Sequence, residues 1–169
     1  MENFTVRPTT PEDWEKVREL RLRMLADTPR AYLETLEGAY ALPDEEWMAR
    51  GARGETEFGT SLVAEDRYGR WLGGMGGFRP DEVVGPLLVG VFVDPSVRGR
   101  AHGVADALLD GIEAWALTLG DALTLHVHEE NPRAIAFYER RGFVADGVRI
   151  PYPLVEGEWE LQMVKRLRG

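Results

Sequence analysis

The 169-residue chain contains no cysteine. That excludes disulfides, zinc ribbons, iron–sulfur sites and any cysteine nucleophile, and it suits a reducing compartment. Histidine is scarce: His102, His126 and His128 are the only three, too few to argue for a dedicated transition-metal centre, so no metal is expected. Of the 20 basic residues only Lys16 and Lys165 are lysines, and the rest are arginine, as codon bias would produce. No apolar run approaches the length of about 20 residues needed to cross a bilayer. The opening stretch MENFTVRPTTPEDW is mixed and acidic rather than basic then apolar, unlike a signal peptide. These absences predict a soluble, cytoplasmic protein with no membrane partner.

The residues present fit a globular domain. Hydrophobic residues make up 44% and charged residues 29%, too apolar for a disordered chain. The length predicts one domain, spanning residues 1–169. With 29 acidic against 20 basic residues the formal net charge is −9. A chain this acidic is repelled by polyphosphate, so no nucleic-acid partner is expected, and a small cationic or amine-bearing partner fits better.

Asn3 to Arg7 alternates as an opening strand. Thr9 or Thr10 then caps a helix, with Pro11 in its first turn and Glu12 and Asp13 favoured by the N-terminal dipole. Trp14, Val17, Leu20, Leu22 and Leu25 carry a helical period to about Ala26. A second helical region is predicted from Ala31 to Arg53, interrupted near Pro43, with Asp44 capping a new start. From Thr60 the pattern turns to strands: GTSLVAED, WLGGMGGFRP and PLLVGVFVDP. The last is a nearly continuous apolar run, as in a strand covered on both faces. Four glycines in WLGGMGGF imply a bulge or a close approach. A helix over Val104–Ala116 ends near Gly120, ALTLHVH forms another strand, Asn131-Pro132 starts a helix to about Arg141, and two strands close the chain. The predicted fold class is α/β with a mixed sheet.

The most informative stretch is VFVDPSVRGRAHGVADALL, residues 91–109. A strand runs into a loop of small residues and then into a helix N-terminus, which turns several backbone N–H groups toward one spot, the arrangement a pyrophosphate needs. A larger side chain at Gly99, Ala101, Gly103 or Ala105 would hold phosphate away from the backbone, while Arg98 and Arg100 add charge. No Gly-Lys-Ser/Thr follows, so it is not a Walker A loop, and it lacks the spacing of a dinucleotide fingerprint. Downstream, LHVHEENPRAIAFYERRGF (125–143) places Asn131 at a helix start, Phe137 and Tyr138 within the helix and Gly142-Phe143 at its end. Asn131 as an N-cap and Phe137 and Tyr138 as packing aromatics explain each residue singly.

Together the two segments resemble the Gcn5-related N-acetyltransferase (GNAT) superfamily. Arg100-Ala101-His102-Gly103-Val104-Ala105 is similar to its acyl-CoA loop, Arg/Gln-x-x-Gly-x-Gly/Ala, and is followed by Leu108-Leu109; Val93-Asp94-Pro95 resembles its Val-x-Pro. Asn131…Ala134…Tyr138-Glu139…Gly142-Phe143 resembles its Asn-x-x-Ala-x-x-x-Tyr-x-x-x-Gly-Phe segment. Counting forward from Val93 selects Arg98 rather than Arg100 as the loop arginine, because the loop is two residues longer than the common form; both stay open. The resemblance implies a central mixed sheet splayed between two parallel strands with helices on both faces, and acetyl-CoA as acyl-donor co-substrate.

It also implies that main-chain groups of Val91 and Val93 hold the pantetheine arm, with N–H groups from Arg98 to Ala105 (Gly99, Arg100, Ala101, His102, Gly103 and Val104 between them) on the pyrophosphate. Asn131, Phe137 and Tyr138 also border the cofactor. Tyr138 is the expected general acid toward the departing thiolate, a task suited to a phenol that stays protonated at neutral pH. Many relatives carry a glutamate base at the position of Leu87, which cannot take a proton. His128, and after it His126, are the expected bases, with Glu129, Glu34 and Glu37 behind them. The expected reaction is acyl transfer, acetyl first, to a primary amine of a small molecule or peptide. The alternatives are a non-catalytic acyl-CoA-binding module and an acyltransferase with a hydroxyl acceptor. A homodimer is expected by analogy alone.

Overall fold

A computed structural model describes residues 3–168. The opening strand β1 (Phe4–Pro8) pairs antiparallel with β3 (Gly59–Asp66). Thr10 then starts a 3-10 turn with Pro11 in its first position, and Asp13 closes the cap by accepting from the Thr10 N–H at 2.9 Å. Helix α1 (Trp14–Asp27) follows and buries Leu20, Met24 and Leu25.

The next segment departs from the sequence-based expectation. Instead of one helical region from Ala31, the chain makes a 3-10 turn at Pro29–Ala31, runs irregularly to Thr35, and forms only the short α2 (Leu36–Tyr40) before α3 (Asp44–Gly51). Tertiary bonds explain the break. The Tyr32 hydroxyl donates to the Val91 carbonyl at 2.6 Å, and the Tyr32 carbonyl accepts from Tyr152 at 3.0 Å. Glu34 is held by Arg21 and Arg50. The helical period of this stretch yields to partners that a regular helix would not place on these residues. At α3 the cap position is Pro43, and Asp44 is the first helical residue.

The sheet continues through β2 (Glu55–Thr56), β4 (Trp71–Phe78), β5 (Leu87–Val93), β6 (Ala122–His128), β7 (Val144–Pro151) and β8 (Trp159–Arg166). Its order is β1-β3-β4-β5-β6-β8-β7, with β2 on β3. All pairings are antiparallel except β5 with β6. One face packs α4 (Val104–Leu117) and α5 (Pro132–Arg140) over Leu62, Leu72, Leu88, Leu125 and Met163. The other packs α1, α2 and α3 over Val63, Trp71 and Phe92. This is the mixed sheet with helices on both faces that the sequence predicts. Among the described residues no helix is long and apolar enough to cross a membrane.

The apolar run of β5 is not covered on both faces. Leu88 and Phe92 are buried, but Val89 is 40% exposed and Gly90, Val91 and Val93 are half-buried. The reason is a bulge. Gly74 faces Phe92 while Gly76 faces Val89, so β5 carries one residue more than β4 over that span, and Gly90 takes a φ of 60°. The extra residue sends Leu88 and Phe92, four apart, to opposite cores. The bulge expected in the glycine-rich β4 is present against β3, where Leu72 is the extra residue between the pairs Ala64–Gly73 and Glu65–Trp71; against β5 the extra residue belongs to β5. Two of the β4 glycines also serve close approach. A β-carbon at Gly73 would stand 2.5 Å from the Phe92 oxygen, and one at Gly77 would stand 2.4 Å from the Trp115 ring.

Because the atom nearest Gly73 is backbone, no rotamer change can relieve the contact. Gly73→Ala is therefore expected to destabilise the fold by about 1–3 kcal/mol, seen as a lower urea midpoint. An unchanged midpoint would mean that β4 and β5 stand further apart than described.

Candidate active site

Strands β5 and β6 pair only at Leu87–Thr124 and Leu88–Leu125. Beyond Leu88 they part, and a cleft of about 550 Å³ opens between them, floored by Val89 to Val93 and by Leu125 to His128 and flanked by α5. A sheet interior rarely leaves backbone groups unpaired. Asp94 N–H donates to the Leu72 oxygen of β4 at 2.8 Å, so by strand alternation the polar groups of Val93 face the gap. The Val93 carbonyl accepts from Arg98 Nε at 2.8 Å and the Val91 carbonyl from the Tyr32 hydroxyl. Burial pushes the Tyr32 phenol up, keeping it a donor. Two carbonyls of the parted strand are thereby satisfied by side chains.

The strand-to-helix loop is organised by Asp94. Its Oδ1 accepts from Ser96 N–H and Oγ at 3.0 and 2.6 Å, and its Oδ2 from Arg23 and Arg70 at 2.7 and 3.3 Å. Burial pushes this carboxyl up, but the Ser96 bonds and the two guanidinium charges outweigh burial and hold it below its ordinary value. A 3-10 turn over Pro95–Val97 follows. Gly99 and Gly103 then take φ values of 104° and 74°, conformations that glycine adopts without strain. Gly103 is the N-cap of α4, His102 N–H turns back to Gly99 O at 3.2 Å, and Ala101 is exposed. The Val104 side chain is fully buried, leaving only its main chain for a ligand, and Ala105 lines the cleft.

The two arginines separate. Arg98 bonds the Val93 carbonyl, pairs with Asp27 and lies over the Phe92 ring. Arg100 is exposed beside the cleft and makes no hydrogen bond or ion pair among the described residues. Across the gap, Asn131 caps α5 by accepting from Ala134 N–H at 3.3 Å. Phe137 and Tyr138 meet edge to face at 5.5 Å and both line the cleft. Tyr138 is buried, its hydroxyl has no hydrogen-bond partner among the described residues, and burial pushes its phenol up.

The base candidates are brought close but engaged. His128 is 3% exposed; its Nδ1 accepts from Glu130 N–H at 3.0 Å and its Nε2 lies 2.7 Å from Glu158 Oε1. With Nδ1 accepting, the ring N–H belongs on Nε2, facing Glu158. His126 is exposed, with Nε2 2.9 Å from Gln162 Oε1. Glu129 is paired with Arg149, which holds its carboxyl down. Glu34 is pulled down to about 2, first by hydrogen bonds from Arg50 and then by Arg21.

Beside the cleft, on the α1–α3 side of the sheet, lies a second chamber of about 890 Å³ that shares Val89 and Gly90 with it. Tyr32, Asp94 and Arg21, which shape the cleft and this junction, were not singled out from the sequence. Tyr32 and Arg21 act through contacts distant in sequence that no local motif marks, whereas Asp94 carries a local signal as the cap of the turn at Pro95–Val97.

Three comparisons bear on this geometry. Residues 14–143 match the acetyltransferase (GNAT) family. A peptidyl-lysine N-acetyltransferase, YjaB, of Salmonella typhimurium is 37% identical over 87 residues, covering 44% of this chain and 56% of that protein. A mycothiol acetyltransferase of Beutenbergia cavernae is 37% identical over 134 residues, covering 76% and 42%. The chain thus spans about half the length of the curated relatives it matches. Among solved structures, a GNAT-family acetyltransferase from Streptococcus pneumoniae superposes with a TM-score of 0.77 at 19% identity, over 97% of this chain and 99% of that one. YncA of Salmonella typhimurium, a putative acetyltransferase solved with acetyl-CoA, gives 0.77 at 18%, over 99% and 95%. At these identities the structures speak for the fold.

The Glu34 ion pairs carry a pH signature. A carboxyl depressed from 4.5 to about 2 contributes stability that is present above 4.5 and is lost as pH falls toward 2. Its partial exposure moderates the size. The wild-type urea midpoint is expected to fall more steeply over that window than that of Glu34→Gln; parallel curves would contradict the pairing.

Proposed function

The chain belongs to the acetyltransferase (GNAT) family, and from that premise we propose that it transfers an acyl group, acetyl first, from an acyl-CoA thioester to the amine of a small molecule. The observation that carries this reading is the parting of β5 and β6 after Leu88, which leaves main-chain groups along a half-buried apolar wall. An acyl-CoA supplies an activated carbonyl and a thiolate leaving group. The amine nitrogen attacks, the C–N bond forms as the C–S bond breaks, the thiolate takes a proton, and the amine gives one up to water.

The chain's residues fit that donor. With the Val91 and Val93 carbonyls already accepting from Tyr32 and Arg98, the N–H groups of these two residues are the ones left to hold the pantetheine arm. The left-handed Gly99 and Gly103 have no atom within 4 Å of where a β-carbon would stand, so the loop from Arg98 to Ala105 presents its backbone without side-chain obstruction. Arg100 is the arginine for the pyrophosphate, because the Arg98 guanidinium is bound to Val93 and Asp27. Asn131 and Phe137 border the same gap. Tyr138 is the acid: burial keeps its phenol protonated, and its hydroxyl is unengaged.

His128 takes another role than the one its position on the strand suggests. To accept a proton, Nδ1 would first have to release Glu130 N–H, and the ring stands edge-on to Tyr152 at 5.0 Å, which bonds Tyr32. It is a positioning residue for the wall that ends on Val91.

The test is a thermal-shift titration with acetyl-CoA, using CoA, ATP and 3′-dephospho-CoA as controls. At about 100 times the dissociation constant the native state gains roughly 2.7 kcal/mol, so the melting temperature rises with acetyl-CoA and CoA but not with ATP. No rise at millimolar acetyl-CoA removes the reading. With an acceptor in hand, Tyr138→Phe is expected to lower kcat by on the order of 100-fold with the KM for acetyl-CoA little moved, while Arg100→Ala raises that KM. Unchanged turnover in Tyr138→Phe would leave acyl-CoA binding without this acid.

A further inference from the structure

The chamber behind the cleft has a charge opposite to that of the chain. Six charged residues line it: Arg21, Arg50, Arg53 and Arg79 against Glu34 and Glu57, four positive and two negative. A protein of net charge −9 has thus gathered arginine around one open pocket. Although Glu46 offsets part of that charge through Arg50 and Arg53, a cationic acceptor, which bulk charge favours, finds no matching excess of acid there.

These arginines differ in what they have left to offer. Arg50 is fully engaged, with Nε on Glu46 and both terminal nitrogens on Glu34. Arg21 gives only Nε, to Glu34 at 2.7 Å. Its Nη1 and Nη2 find no acceptor among the described residues. The group lies over the Tyr32 ring at 5.1 Å, and a β-carbon at Gly90 would stand 3.9 Å from Nη1. Gly90 is the bulge residue shared by chamber and cleft, so the open edge of Arg21 lies, through Nη1, beside the passage between the two. A guanidinium held by Nε with its outer edge open is suited to a carboxylate. Apart from these charges and the hydroxyls of Thr9, Thr56, Thr60 and Ser61, the chamber is apolar, with Leu20, Met24, Phe58 and Met75 among its walls. The Thr9 and Thr60 hydroxyls are already given to the Gly51 and Gly54 carbonyls.

We propose that the acceptor is a free α-amino acid with an apolar side chain: Arg21 holds its carboxylate at the Gly90 bulge, the neighbouring amine faces the β5–β6 gap, and the side chain lies in the chamber. The proposal rests on the acyltransferase reading and narrows it. In an α-amino acid the two groups sit on adjacent atoms, so anchoring one fixes the other. Polyamines have no carboxylate, and in a peptide the carboxylate next to the N-terminal amine is an amide.

The experiment compares wild-type kcat/KM, by thiol release from acetyl-CoA, for L-phenylalanine, L-leucine and L-methionine against phenethylamine, isoamylamine and spermidine. At least one amino acid is expected to exceed its decarboxylated counterpart by about 30-fold or more, the scale of a lost charged hydrogen-bonded pair. That ratio should shrink in Arg21→Gln and take an intermediate value in Arg21→Lys, which keeps the charge but not the fork. Acetyl-CoA thermal shifts on each variant report whether it is folded, and the wild-type ratio decides the matter if a variant is not. Acetyl-CoA binding with no transfer to any of the amino acids, or with equal or faster transfer to the amines, overturns the proposal while leaving the acyltransferase reading. A chain that binds no acetyl-CoA fails the wider reading, and this one with it.

Discussion

The structure depends on two parallel strands that stay paired for only two residues. In a continuous sheet, β5 and β6 would satisfy each other along their length. Here they separate after Leu88 and Leu125, and each backbone group that faces the gap past that point needs another partner. Tyr32 reaches from the segment that follows α1 to the Val91 carbonyl, and Arg98 folds back to the Val93 carbonyl. The gap is stable because these side chains accept part of the role of the missing strand, and it can bind because they leave part of that role unfilled.

The bulge makes the separation possible. One extra residue in β5, at a left-handed Gly90, reverses which face the following side chains meet. Phe92 therefore packs with α1 and Trp71 while Leu88 packs with α4. The glycines of β4 are the counterpart of this distortion: Gly73 admits the Phe92 carbonyl. At the strand's end Asp94 gathers Ser96, Arg23 and Arg70, fixing the loop that leads to the α4 N-terminus. Cleft, loop and chamber thus share one cause, and all three meet within a few residues of Gly90.

Most of the elements were legible in the sequence because their signals are local. From Thr60 onward short apolar runs are bounded by glycine, proline and charged turn residues, and α4 repeats its buried positions Val104, Leu108, Ile112 and Ala116 at helical spacing. Capping of α5 by Asn131 follows from residue type. Where sequence reading failed, the deciding partner was distant. Tyr32–Thr35 has a helical period but is held open by Val91, Tyr152, Arg21 and Arg50. The apolar run of β5 looked like a doubly covered strand, although Val89 borders two open spaces. His128 looked available as a base, but its two nitrogens meet Glu130 and Glu158, and the second of these is on another loop. The arginines of the loop, alike in sequence, are distinguished only by Asp27 and the Val93 carbonyl. Composition gave the sign of the surface charge and not that of the chamber.

The central claim is that the unfilled backbone between β5 and β6 is the seat of the acyl donor. Residue-resolved amide hydrogen exchange by NMR, with and without saturating acetyl-CoA, tests it directly. Binding is expected to slow exchange at the Val91 and Val93 amides and along the loop from Gly99 to Ala105, with the β3–β4 ladder unaffected. Binding that leaves Val91 and Val93 unprotected, with slowing elsewhere on the surface, would contradict the account.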